Sequence, residues 1–393
     1  MRMERLPASE FERRVHAVQE SLQKHRIDLL ITYSSEGESA SCRYLTDFWP
    51  FFDFASVLVP AEGSTALVTG GPESFDYAET VSRAEKIFIN PLYVEVSAPQ
   101  WVQGGEGENF KEIFSKVCTR TPKRIGITDW SIFPSQIMVQ IREAAPDAQI
   151  IPADDILLGV RAVKSDIEIP YIEKAFSIAE EAMKAAVAAV TEGIAEYEIE
   201  AAARIRMLEL GAEGVPYPPW VCSGENTVYS LCRSSERRIR PGDLVQCTIG
   251  SKYLGYCGNM CRAFSYGPIP DAARTLMEAV LESTEYALST IKPGVRASDV
   301  FAGYYRILEK YGYEKFTLYG PAHGTGYYEV EGLWLSKEAQ FIIQENMLFN
   351  IDIWLSDGTY GMRFEEGVIV TEKGVRELNP AFREVMSLEH RTR

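Results

Sequence analysis

Residues Asn350 to Gly374, NIDIWLSDGTYGMRFEEGVIVTEKG, hold two β-type runs on either side of a Ser356-Asp357-Gly358 turn, the pattern of an antiparallel hairpin. Successive side chains of a strand point to opposite faces, so alternation predicts Asp352 and Glu365 on paired strands that face one site. Upstream, LVQCTIGSKYLGYCGNMCRAF (Leu244 to Phe264) reads as a second hairpin. Period two puts Cys257, Asn259 and Cys261 on one face of it, and Thr248 lies on its first run. Helical patterns run near 271–291 and 297–312, and another covers about Glu196 to Leu210. Long helices on an antiparallel sheet make this half of the chain α+β.

The segment RAVKSDIEIPYIEKAFSIAEEAMKAAVAAVTEG (Arg161 to Gly193) opens with polar breakers and continues as a long helix that Gly193 can stop. It marks a boundary near 155–165, giving an N-terminal domain over 1–160 and a C-terminal domain over 161–393. Before it, short β-rich runs start at Leu29, Phe54, Thr65, Ile87 and Arg124, with polar or helical segments between them, so this half reads as α/β. The chain opens on a predicted helix, with Ser9 and Glu12 as a capping box and Phe11, Val15, Val18 and Leu22 at helical spacing. In DFWPFFDFASV (Asp47 to Val57), Pro50 interrupts regular pairing among five aromatic rings, so some of those rings are expected in an exposed loop.

Two domains suit the length of 393 residues, since single cores stop growing at about 250–300 residues. With 46% hydrophobic and 24% charged residues the chain is a soluble globular protein rather than a disordered one. A formal charge of −16 opposes phosphate backbones and anionic lipid, so neither nucleic acid nor membrane is an expected partner. No run approaches the roughly 18 apolar residues of a membrane span, and the N-terminus has no signal-peptide core, so a cytoplasmic location is expected. Seven cysteines without scaffold-like density are expected to be reduced thiols. Cys257 and Cys261 lack the second ligand pair of a zinc site, although either could act as a thiolate beside a positive neighbour.

Of four histidines, His16, His25 and His390 fall in polar terminal segments. His323 lies in GPAHGTGYYEVEG (Gly320 to Gly332), whose glycines permit close approach of backbone to a ligand.

Taken in order, these motifs resemble the creatinase/prolidase/methionine aminopeptidase family, whose catalytic domain is the pita-bread fold. KSDIEIPYIEKAFSIAEEAM resembles its linker helix, VCSGENT (Val221 to Thr227) its substrate loop, and GDLVQCTIGSKYLGYCGNMCRAFSYG its first metal hairpin. The resemblance implies an α/β N-terminal domain and an α+β pita-bread catalytic domain. It also places the family's five metal ligands, two Asp, one His and two Glu, on Thr248, Asn259, His323, Asp352 and Glu365. Both aspartates are replaced, and Asp352 is one methylene shorter than Glu. Two carboxylates and a neutral imidazole do not balance two divalent cations, and Thr and Asn are poor bridging ligands. The second histidine of peptidase members falls on Val330, and the substrate-loop histidine of creatinase falls near Leu231.

The pattern therefore resembles the metal-free, creatinase-like members, and neither metal nor cofactor is expected. The expected activity is a metal-independent hydrolase or lyase cleaving a C–N or related bond in a small cationic or zwitterionic nitrogenous compound. His323 would serve as acid/base with Glu365 and Asp352, and Asn259, Thr248, Trp220, Tyr229, Tyr328 and Glu331 would bind substrate. The alternatives are an Xaa-Pro peptidase with a degenerate metal site and a non-catalytic binding protein on the same fold. By resemblance the chain is expected to form a homodimer, with the aromatic N-terminal loop capping the neighbouring cleft.

Overall fold

The computed structural model describes residues 5–103, 105–315, 318–383 and 387–388. The chain divides into two compact units, with the division between Arg161 and Ala162. In the first unit, strands β1 (Leu29–Ile31), β2 (Ala55–Pro60), β3 (Ala66–Thr69), β4 (Lys86–Ile89), β5 (Arg124–Ile127) and β6 (Gln149–Pro152) form one mixed sheet in the order β4-β3-β2-β1-β5-β6. Its core joins Leu29, Ile31 and Val68 of the strands to Phe110 and Ile113 of the helix Phe110–Val117 and Ile137 and Ile141 of the helix Ser135–Ala144.

The first helix spans Ala8–His25 with Pro7 as its N-cap, so the expected Ser9–Glu12 capping box does not form. Starting there turns Glu10, Phe11, Arg14, Val18 and Leu22 inward. Glu10 is spent on Arg14, whose Nε lies 2.8 Å from its carboxylate. In the aromatic stretch Phe48 is buried, whereas Phe51 and Phe52 are 59% and 68% exposed.

The second unit is built on an antiparallel sheet of β7 (Trp220–Ser223), β8 (Leu244–Tyr253), β9 (Tyr256–Tyr266), β10 (Ala322–Gly324), β11 (Leu348–Ser356) and β12 (Gly361–Thr371), in the order β10-β11-β12-β9-β8-β7. A further strand, β13 (Gly374–Glu377), pairs with β12. Phe349, Ile351, Ile353 and Leu355 of β11 share a core with the helices Asp271–Thr290 and Ala297–Tyr311. The residues between them, Asn350, Asp352 and Trp354, therefore turn to the other face.

The helix Ile169–Ala189 crosses β8 and β9. It approaches so closely that a Cβ on Gly258 would lie 2.3 Å from the backbone of Ala175, and Ser251 Oγ donates to the Ala175 carbonyl at 2.6 Å. Backbone cannot yield as a side chain can, so Gly258→Ala is expected to cost about 2–3 kcal/mol by overpacking. A urea midpoint unchanged from wild type would refute that reading of the contact. Cys222 on β7 and Cys232 in the following loop form a disulfide, which corrects the expectation of reduced thiols throughout, while Cys42, Cys118, Cys247, Cys257 and Cys261 are free. Among the described residues no helix is long and apolar enough to cross a membrane.

Candidate active site

Strand register builds the site. Asp352 is opposite Glu365, Glu365 opposite Cys261, Cys261 opposite Thr248, and Thr248 opposite Trp220. Directly opposed residues of antiparallel strands share a face, so five strands contribute one side chain each to a continuous row. On β10, His323 is opposite Asn350, whose amide nitrogen donates to Glu365 Oε1 and fixes that carboxylate.

His323 is 1% exposed. Its Nδ1 lies 2.9 Å from the Gly324 carbonyl. A carbonyl can only accept, so Nδ1 carries a hydrogen, and Nε2 is the nitrogen that gains or gives up the second proton. That nitrogen is 3.6 Å from Glu329 Oε1, and the Trp334 ring lies 4.9 Å from the imidazole. Trp334 in turn stacks on Tyr319 and borders a cleft of about 420 Å³ that Phe301 and Leu318 also line.

Two members of the site lie outside the expected set. Glu329 follows the glycine-rich turn, and His323, Glu329 and Glu365 each present an atom within 4.8 Å of the others'. Arg363, two residues before Glu365 and so on the same face, brings its Nε to 3.4 Å from Asp352 Oδ1. Its guanidinium carbon stands 5.9 Å from the Trp220 ring and 5.8 Å from the Tyr319 ring. Burial, reinforced by Asp352 and Glu329, pushes the Glu365 carboxyl well above the usual carboxylate range; burial also raises Glu329, with His323 and Arg363 pulling it back and Asp352 adding to the rise. The Arg363 guanidinium resists its own desolvation because Asp352 and Glu365 hold its charge.

Among the described residues, Asn259 Oδ1, His323 Nε2, Glu365 Oε2, Tyr217 Oη and Trp220 Nε1 are buried without a hydrogen-bond partner, while Asp352 Oδ1 and Arg363 Nε make no hydrogen bond beyond their mutual ion pair. Buried polar atoms are ordinarily paired, because an unmade bond costs about 1–3 kcal/mol. Five such atoms around one row mark a place built to be filled.

The donor set does not match a pair of divalent ions. Thr248 Oγ1 is engaged with Cys261 Sγ at 3.1 Å, and the Asn259 amide nitrogen is turned to Thr325 Oγ1 at 3.5 Å, which leaves one neutral oxygen. Glu329, Asp352 and Glu365 supply at most three negative charges, fewer while Glu365 keeps its proton, and the buried Arg363 beside them cancels one and repels a dication. The spacing of His323, Glu329 and Glu365 has the dimension of a single ion.

Of the expected substrate-binding residues, Asn259, Thr248 and Trp220 belong to the row or its neighbour, and Glu331, Tyr328 and Tyr229 lie off it. Glu331 is buried against Lys164 at 2.9 Å and accepts the backbone N–H groups of Tyr327 and Tyr328, so it braces the turn and is not free for a cationic ligand. Tyr328 lends its carbonyl to the same turn, accepting from Thr325 Oγ1 and Gly326 N. Tyr229 is 57% exposed after the short turn Gly224–Val228. The thiolate option for the hairpin cysteines fails, since burial pushes Cys257 up to about 12 and Cys261 well above its ordinary value. His16 and His25 are surface residues, and His390 lies outside the described residues.

Residues 14–163 match the model of the creatinase/prolidase N-terminal domain, and residues 170–372 match that of metallopeptidase family M24. The Xaa-Pro dipeptidase of Pyrococcus furiosus is 31% identical over 59% of this chain and 67% of its own length. A hydrolase/peptidase of Sinorhizobium fredii is 26% identical over 96% and 97% of the two chains. The prolidase structure from Pyrococcus horikoshii superposes with a TM-score of 0.81 at 23% identity, covering 95% of this chain and all of that one. These names are those of prolidases and peptidases rather than of the metal-free members that the departures at 248 and 259 bring to mind. The second matched segment alone spans more than half of the chain, and the first precedes it without overlap: the chain belongs to metallopeptidase family M24, with a creatinase/prolidase N-terminal domain followed by a pita-bread domain.

Proposed function

We propose that this M24 protein hydrolyses a C–N bond of a small, positively charged or zwitterionic compound, with His323 carrying the proton and no pair of metal ions. The observation behind this reading is the buried guanidinium of Arg363 set into the row 3.4 Å from Asp352, where charge balance leaves room for an organic cation rather than for two dications.

In this reading His323 Nε2 takes a proton from a water molecule as the oxygen bonds to the substrate carbon. The imidazolium is stabilised by Glu329 at 3.6 Å, and it then delivers the proton to the departing nitrogen as the C–N bond breaks. The Nδ1–H bond to Gly324 keeps the ring aimed throughout. Asp352 and Glu365 hold the positive end of the substrate. Asn350 keeps Glu365 in place, and Asn259 Oδ1 accepts a hydrogen bond from the substrate.

A second reading is favoured by the names of the relatives and by the His323–Glu329–Glu365 spacing: an Xaa-Pro peptidase that keeps one ion. Elemental analysis of protein purified without chelators separates the two. Below about 0.1 divalent metal per chain is expected, with activity insensitive to chelator. A ratio near one, with activity lost on chelation and regained with metal, would replace the first reading by the second.

A further inference from the structure

Among the described residues one disulfide, Cys222–Cys232, stands beside five free thiols. It joins an edge of the sheet to the loop that follows. β7 is the last strand in the order, and Cys222 lies on it two residues after Trp220, on the same face and fully buried. The chain then makes the turn Gly224–Val228 and returns along β7, where the Val221 N–H donates to Ser234 Oγ at 2.8 Å. Both ends of the returning stretch are tied down. Before it, Thr227 Oγ1 accepts from the Gly361 N–H at 3.1 Å, two residues from Arg363. After it, the Ser234 and Ser235 hydroxyls donate to Glu200 and Glu196 at 2.5 and 2.6 Å. Residues 230–233 make no hydrogen bond or ion pair among the described residues, so the Cys232 sulfur is their bonded link to the sheet. We propose that Cys222–Cys232 is a reversible redox clamp, closed when oxidised and opened by a dithiol, that holds this loop and the Trp220 station of the site in place.

Cys232 is half-buried while Cys222 is covered, so an incoming thiolate meets the Cys232 sulfur. Its sulfur bonds to Cys232 Sγ as the S–S bond breaks, and the electron pair leaves with Cys222 Sγ, which takes up a proton. The second thiol of the dithiol then displaces Cys232, leaving two cysteine thiols and an oxidised dithiol. Other buried cysteines stay out of this exchange, because burial pushes Cys42, Cys247 and Cys257 up to about 12 and Cys261 well above its ordinary value. The two bonded cysteines are ten residues apart, so the bond constrains the unfolded chain less than a long-range one would. The core between the sheet and the helices Asp271–Thr290 and Ala297–Tyr311 is built without it. Opening the clamp therefore frees the exposed Tyr229 and Leu231 and loosens the edge strand that carries Trp220, while the domain stays folded.

This inference goes beyond the hydrolytic reading and does not depend on it. Protein purified without reductant is compared with protein treated with dithiothreitol and with Cys232→Ser. Alkylation of the unfolded chain is expected to find five thiols before treatment and all seven after it. Chymotrypsin is expected to cut after Tyr229 or Leu231 at least tenfold faster in the reduced protein and in the variant, with dithiothreitol changing the variant no further. The share of tryptophan fluorescence that Trp220→Phe removes is expected to be quenched by acrylamide at least twofold more strongly after reduction. Oxidised glutathione should restore the first state, and thermal melting should show a folded protein throughout. Seven thiols at the outset, cleavage or quenching that ignores dithiothreitol, failure to reoxidise, or unfolding on reduction would each overturn the clamp.

Discussion

Replacing His323 by Ala is expected to lower kcat by about 10³-fold, within the range for loss of a general acid/base. The imidazole is buried and makes one hydrogen bond through Nδ1, to Gly324. The basic nitrogen is Nε2, which makes no hydrogen bond among the described residues and stands 3.6 Å from Glu329. His323→Asn retains an N–H that can reach Gly324 and removes the base, so it should melt like wild type and be as inactive as the Ala variant. Activity within tenfold of wild type in either variant would remove His323 from the mechanism. A protein that served only as a binding scaffold would keep its ligand affinity in both and show no turnover to lose.

Loss of Arg262 is expected to be the most damaging change to the fold. Its side chain is fully buried and donates to the carbonyls of Cys261, Glu365, Asn379 and Ala381 at 2.6–3.0 Å, and to Glu366 at 3.1 Å. Arg262→Met has a similar length but strands four carbonyls, and it leaves Glu366 with Arg383 as its remaining cation among the described residues. Breaking a buried pair in this way costs about 3–5 kcal/mol. Urea unfolding should report a loss of that size. Activity should fall further than the folded fraction does, because the carbonyls of Cys261 and Glu365 sit under the row that carries the chemistry. A loss below about 1 kcal/mol would mean that the surrounding backbone finds other partners.

Strand residues of the site were legible in the sequence because period two has a direction. Asp352 and Glu365 were expected on one face from their positions around the Ser-Asp-Gly turn, and they lie directly opposite one another. The same alternation could have found Arg363, which differs from Glu365 by one period. Glu329 was missed because it lies in an irregular segment where spacing gives no direction, although six residues after a histidine between glycines is a place to look. Glu331, two residues on, was assigned to substrate and is consumed by Lys164, 167 residues earlier in the chain. Pairings at that range leave no local pattern, and the Cys222–Cys232 bond likewise follows from how a loop returns to β7. The first helix was expected in the right place with the wrong start, since inward-facing Glu10 and Arg14 outweigh the local preference of Ser9 for a cap.

The row from Asp352 through Glu365, Cys261 and Thr248 to Trp220 draws each side chain from a different strand, and the hydrogen bonds that set those strands in place are made by the backbone. Exchanging the group at one station leaves the addresses of the others untouched. Such a sheet works like a rack with fixed slots, in which one side chain can be exchanged for another without redrawing the frame. The same property makes the protein a practical host for rebuilding in the laboratory, where Thr248 and Asn259 can be replaced by aspartate singly or together and each step read as a change in chemistry rather than in shape.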